Sequence, residues 1–228
     1  MRNWYAAART HPSAVLLGVQ LGGLLVYPFL DDQAIGRALF GVFGLVVLAL
    51  ALLTVRATPA LTWVSLLLGL PVVVLTVVEG FVPGNDPVVL TSSVFHAAFY
   101  FYTAYALIRY MFADDVVTSD ELFATGAAFT VVAWAFAYVY VAAQVIWPGS
   151  FTAAVDPAGD RTWVELLFLS VTTLSSTGLS DIVPILPHAR SVVMVEQIAG
   201  MLYLALVVAR ITALTVTRIG KDSNSRSS

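Results

Sequence analysis

The sequence predicts an all-α membrane protein: six transmembrane helices, with a shorter re-entrant helix and loop between the fifth and sixth. Three observations predict it. Hydrophobic residues make up 59% of the chain and charged residues 11%, against roughly 45–50% and 25% in soluble domains. Six apolar stretches approach or exceed the ~20 residues that cross a hydrocarbon core. A further apolar stretch, Asp160 to Leu174, is too short to cross at 1.5 Å rise per residue, so its chain has to turn back.

Taken in order, the first span is Ser13 to Leu30, behind Arg2 and Arg9. A basic start followed by an apolar run also describes a signal peptide. Here no small-residue cleavage site follows and another apolar run begins at once, so a retained span is expected. Asp31-Asp32 separates it from the second span, Ile35 to Val55, and Thr58-Pro59 from the third, Leu61 to Val82. Pro83-Gly84-Asn85-Asp86-Pro87 is a turn signal before the fourth, Val88 to Met111. Thr118 with Glu121 forms a capping-box pattern opening the fifth, Leu122 to Ile146, which Trp147-Pro148-Gly149 ends. Asp160, or Thr162 with Glu165, can cap the short helix. Asp181-Ile182-Val183-Pro184 leads back, and the sixth span is Ser191 to Thr217. The expected organisation is a four-helix unit over 1–116, a second unit over 117–217 and a short, polar, irregular tail over 218–228.

Basic residues orient the chain, because they concentrate in cytoplasmic loops. With the N-terminus inside, Arg2, Arg9, Arg56, Arg109, Arg210, Arg218, Lys221 and Arg226 fall on the cytoplasmic side, and Arg37, Arg161 and Arg190 outside. Both termini are then cytoplasmic, in a multi-pass protein of the cell membrane. Outer loops carry Asp31, Asp32, Glu79, Asp86, Asp156, Asp160, Glu165 and Asp181. Such a surface concentrates cations, though each acid alone reads as a solvated loop residue. A net charge of -3 argues against a nucleic-acid partner, and the absence of cysteine excludes disulfides and thiolate metal sites.

From Thr172 to Asp181 the chain reads Thr-Thr-Leu-Ser-Ser-Thr-Gly-Leu-Ser-Asp. Irregular backbone is tolerated at membrane depth only where it is buried in protein or lines a watery cavity, and backbone carbonyls can replace a cation's hydration shell. A helix ending at mid-membrane also directs its partially negative C-terminus at such a cation. This is a pattern for ion conduction rather than for enzyme chemistry.

Across roughly residues 122–217 the chain resembles the pore domain of the two-transmembrane-type potassium channel family. The resemblance rests on Ser170 and Thr172 in the short helix, Ser175 to Asp181, Ile182-Val183-Pro184, Arg190, and Glu196, Gly200, Tyr203, Ala205 and Val208-Ala209-Arg210 on the last span. It implies a homotetramer in the lipid bilayer around one axial pore, with K+ or another monovalent cation permeating. The carbonyls of Ser176, Thr177, Gly178 and Leu179 would ligate the ion, Ser180 would complete the selectivity filter, and Thr172, Ser175, Asp181 and Glu196 would support it. Gly200 matches the family's gating hinge; close helix packing is its other reading. Glu196 is a functional candidate as an ionisable residue inside a span, expected to pair with hydroxyls behind the filter; its other reading is a wetted, inert residue near the outer interface.

The family filter usually reads Thr-Val-Gly-Tyr-Gly-Asp, and here Ser176-Thr177-Gly178-Leu179-Ser180-Asp181 stands in its place. Ser176 keeps a ligating hydroxyl. Ser180 replaces a glycine held at positive φ, which costs a residue with a Cβ about 1–2 kcal/mol. Leu179 replaces the tyrosine whose hydroxyl ties filter to pore helix, and Phe168 and Leu169 stand where tryptophans are frequent, so apolar packing is expected to replace a polar cuff. A wider or more mobile outer filter with relaxed selectivity follows. The Ser-Thr-Gly-Leu-Ser run also resembles the single-glycine filters of the Trk and Ktr uptake proteins, which carry four such repeats on one longer chain.

The fourth span carries Arg109 alone, so it lacks the arginine array that makes a voltage sensor. Its aromatics, Phe95, Phe99, Tyr100, Phe101, Tyr102 and Tyr105, read as helix packing, and His96 as hydrogen-bonded structure. No cofactor and no soluble ligand-binding domain are expected. Two alternatives are a non-conducting or regulatory channel-like subunit and an intramembrane hydrolase using Ser180 and His188.

Overall fold

The computed structural model describes residues 11–27, 43–44, 46–51, 53, 62–113 and 119–226. The elements run α1 (Pro12–Val26), α2 (Thr62–Phe81), α3 (Asp86–Met111), α4 (Ser119–Ile146), β1 (Phe151–Thr152), α5 (Trp163–Leu174), β2 (Val183–Pro184) and α6 (Pro187–Arg226). Most of the second predicted span, and Thr118 of the expected capping box, lie outside the described residues.

Among the described residues three helices are long and apolar enough to cross a membrane: Thr62–Phe81, Asp120–Ile146 and Pro187–Arg210. The chain is therefore a membrane protein. The expectation of six spans is not met helix for helix. α3, with 26 residues, reaches about 39 Å at 1.5 Å per residue, but Ser92, Ser93, His96, Thr103 and its tyrosines lower its hydropathy. Ser92, Ser93, His96, Thr103 and Tyr100 are buried within the protein. His96 lies 2.8 Å from the Ser92 carbonyl through Nδ1 and 3.4 Å from the Thr76 hydroxyl through Nε2, and it stacks on Tyr138 at 4.2 Å. α1 has 15 residues. At the other end of the chain α6 continues to Arg226, across the stretch expected to be an irregular tail.

α4 is the central helix, packed against α1, α3, α5 and α6. Ala124, Ala127, Ala128, Ala133, Ala135 and Ala137 on it are completely buried, and small side chains let helix backbones approach closely where no hydrophobic effect drives them together. One core gathers α4 with α1 and α3 around Tyr100 and Trp134. A second, around Tyr140, Phe151, Leu166, Leu169 and Ile182, joins α4 to α5, β1 and the start of α6.

The two ends of the α4–α6 pair differ. At one, Arg210 pairs with Glu121 at 3.4 Å and lies 4.8 Å over the Phe112 ring, while Ser13 donates to Asp120. At the other, Trp147 stacks on His188 at 4.2 Å. Here β1 and β2 pair antiparallel, Phe151 with Pro184 and Thr152 with Val183, and Ile185 N donates to the Ser150 carbonyl at 2.8 Å. Arg210 thus lies at the end opposite Arg161 and Arg190, as the charge distribution predicts. The strand pair brings the chain leaving α4 beside the chain entering α6. α5 and the loop after it are an excursion that departs and returns at one level.

Candidate functional site

The excursion is fixed first at its α5 end. Thr162 caps the helix: its hydroxyl accepts from Glu165 N at 3.3 Å, and the Glu165 carboxylate accepts from Thr162 N at 2.7 Å. This reciprocal pair satisfies two amides that a helix start leaves bare. Asp160 has no part in the cap. Beside it Arg161 is buried, 5% exposed. Its guanidinium donates to the carbonyls of Val155, Asp156 and Gly159 and pairs with Glu165 at 3.3 Å. Its backbone exchanges two hydrogen bonds with the Gln144 side chain of α4. Five fixed donors make arginine suited to gathering several carbonyls. Sequence reading places Arg161 only as an outer charge, since nothing in its spacing marks the carbonyls that surround it.

At its other end α5 is closed by the hydroxyl-rich run. Ser176 N donates to the Thr173 carbonyl at 3.0 Å, and Thr177 N and Gly178 N to the Thr172 carbonyl at 3.0 and 3.1 Å. The Thr177 hydroxyl reaches the same carbonyl at 3.3 Å and the Ser175 hydroxyl at 3.0 Å. The last carbonyls of the helix, otherwise orphaned, are thereby taken up. Ser176 at φ 59° and Gly178 at φ 65° provide the left-handed turns this wrap requires.

Turning the Thr177 and Gly178 amides back onto α5 points the carbonyls of Ser176 and Thr177 the other way, because C=O and N–H of a trans peptide unit are antiparallel, and those of Gly178 and Leu179 follow them along the loop. Among the described residues these four oxygens accept no hydrogen bond. Residues 176–179 are exposed on the chain. The excursion therefore presents a short row of backbone acceptors at the tip of an anchored helix, whose C-terminal dipole favours positive charge. Such oxygens suit a hard, weakly hydrated cation. Among the described residues no group of His, Cys, Asp or Glu could hold a metal ion by side chains.

One expectation is corrected here. The strained residue is Ser176, not Ser180: Ser180 is outside the left-handed region, and its hydroxyl accepts from Ile182 N at 3.0 Å in a local turn. The wrap needs its positive φ angles next to the helix end, where the amides reverse, and by Ser180 the chain is already running back to β2. Leu179 is 79% exposed on the single chain; the loop tip carries it clear of both cores. Leu169 is buried and Phe168 is 45% exposed. Asp181 is exposed.

Behind α5, Glu196 is completely buried. Its carboxyl accepts from the Tyr140 hydroxyl of α4 and contacts the Ser170 hydroxyl of α5; Ser170 also donates to the Ala133 carbonyl at 2.8 Å. The inert, wetted reading of Glu196 does not survive this burial. Tyr140 is the residue sequence reasoning misses, 56 positions away, and its signal was the need of any intramembrane carboxyl for a partner. One turn further along α6, Gly200 meets the backbone of Leu174: a Cβ there would collide with the Leu174 carbonyl and lie 3.0 Å from its Cα. The nucleophile–base pair considered from sequence is not joined by a hydrogen bond among the described residues, since Ser180 is engaged with Ile182 and His188 with Trp147.

Comparison with known proteins adds one match. The sequence model described as ion channel matches residues 88–217, which takes in α3, α4, the whole excursion and α6 as far as Thr217. No curated protein and no solved structure matches the chain.

Proposed function

Since the chain belongs to the two-transmembrane-type ion channel family, we propose that it is a monovalent cation channel, potassium foremost, carrying passive flux through one axial pore. A single excursion offers carbonyls from one side only, so four copies surround the ion in a homotetramer. The ligands are the carbonyls of Ser176, Thr177, Gly178 and Leu179, with Ser180 and Asp181 at the rim. The protein resides in the cell membrane with both termini in the cytoplasm and the β1–β2 end outside, and Gly200 is the candidate hinge of α6. The observation that carries this reading is the wrap at the end of α5, in which three successive amides bond back to the helix and leave the carbonyl row without partners.

Selectivity is relaxed relative to the family norm. Leu179 has no hydroxyl with which to tie the loop tip to α5, so the carbonyl row is held from its α5 end only. The test is flux from liposomes holding the purified full chain, compared for potassium, sodium and rubidium. Potassium flux exceeding sodium flux, by less than ordinary potassium channels achieve, is expected. No flux of any of the three ions sinks the conduction reading, and a potassium-to-sodium ratio as steep as the family norm sinks relaxed selectivity alone.

A further inference from the structure

Glu196 is a carboxyl in the interior of a membrane helix that takes no part in any ion pair among the described residues. It is held by hydroxyls instead. One oxygen meets Tyr140 of α4 and the other meets Ser170 of α5, so a single side chain of α6 ties the helix of the excursion to both α4 and α6. Removing a polar group from water is costly unless its hydrogen bonds are replaced, which makes this junction specific: an apolar side chain could fill the space but would hold neither neighbour.

The position of the junction matters more than its strength. Ser170 stands two residues before Thr172, whose carbonyl accepts the Thr177 and Gly178 amides. Whatever sets the height and rotation of α5 at Ser170 therefore sets where the carbonyl row begins. Gly200 supplies a second constraint by admitting the Leu174 backbone against α6. α6 thus grips α5 twice within one of its own turns, once through a polar contact and once through the absence of a side chain.

We propose that Glu196 is a specificity-determining positioning residue. By clasping Ser170 and Tyr140 it fixes α5 against α4 and α6, and through α5 it fixes the spacing of the ion-ligating carbonyls. The inference rests on the conduction reading above, and the experiment separates the two. The full chain is reconstituted in liposomes and the potassium-to-sodium and rubidium-to-potassium permeability ratios are read under bi-ionic gradients.

Glu196→Gln keeps the shape and can still accept from Tyr140 and donate to Ser170, so both ratios stay at the wild-type values. Glu196→Leu keeps the volume and loses both contacts; it still conducts, and at least one ratio changes by about tenfold, equivalent to ~1.4 kcal/mol. Ser170→Ala shifts the ratios more than Tyr140→Phe, because Ser170 is the contact on α5, and in the Glu196→Leu background it shifts them less than in the wild type, since only its bond to the Ala133 carbonyl then remains to be lost. A merely structural role would lower thermal stability in all these variants and leave the ratios alone, and that outcome overturns the proposal. If Glu196→Leu fails to assemble, Ser170→Ala decides by the same criterion. Absence of flux from the wild-type chain defeats the conduction reading and this one with it, whereas normal flux with ratios insensitive to Glu196 and Ser170 defeats this one alone.

Discussion

Gly200 and Ser176 each hold the site by a local property of one residue. At Gly200 the property is room: a methyl group would run into the Leu174 carbonyl, and backbone cannot step aside as a flexible side chain can. Gly200→Ala is accordingly expected to cost about 1–3 kcal/mol, the range for an overfilled contact, and to reduce flux by displacing the end of α5; thermal unfolding and liposome flux measure the two effects. At Ser176 the property is a tolerated left-handed φ of 59°. A residue with a Cβ costs about 1–2 kcal/mol there relative to glycine, so Ser176→Gly should stabilise by up to about that amount in the same unfolding assay, and a variant less stable than wild type would contradict the conformation described. Both positions were legible as important from the sequence, and close helix packing was one of the two readings of Gly200, but its partner and the strain at Ser176 were not legible. Homology in spacing marks a glycine at 200 without revealing the carbonyl opposite it. It also places the strain at Ser180, one turn of chain too late, because backbone angles follow from where the amides find partners rather than from residue type.

Helices α5, α6 and α3 show what apolar length and capping chemistry can and cannot convey. The start of α5 was readable because Thr162 and Glu165 stand at the spacing of a reciprocal cap, and the helix opens there. Thr162→Ala removes one half of it and should cost about 1 kcal/mol, seen as a lower unfolding temperature, while Asp160→Ala should cost nothing comparable. α3 was harder. Its length suits a span, but Ser92, Ser93, Thr103 and His96 are buried against other protein groups, and whether a polar residue is buried in protein is a tertiary fact that no window of sequence contains. α6 was underestimated at its far end for the converse reason: a polar composition after Thr217 does not prevent a helix already nucleated upstream from continuing. The contact of Arg210 with Glu121 joins α6 to the first turn of α4 with side chains only 13% and 6% exposed. Breaking so enclosed a pair should exceed the ~0–1 kcal/mol of a surface pair. Glu121→Gln is therefore expected to lower the unfolding temperature more than a solvent-facing change such as Asp181→Asn, and equal effects would refute the enclosure.

For the molecule as a whole, the membrane class and the re-entrant course of the chain between α4 and α6 were visible in composition and in one apolar run too short to cross. The arrangement that makes the excursion rigid was not visible, since Arg161 draws on carbonyls, Gln144 and Glu165, and Glu196 on a tyrosine in another helix. Assembly belongs to this scale too. Native mass spectrometry of the full chain in mild detergent is expected to give four copies, and a population of monomers and dimers alone would remove the axial pore from consideration. The pairing of β1 with β2 carries one more implication. Because residues 150 and 185 meet at the neck of the excursion, everything between them forms a cassette with adjoining ends, the kind of segment that can be grafted into another scaffold without stretching the recipient. Such a graft would bring its own guanidinium tether and helix cap, but a host lacking the counterparts of Gln144, Tyr140, Glu196 and Gly200 would receive the oxygens without the frame that aims them.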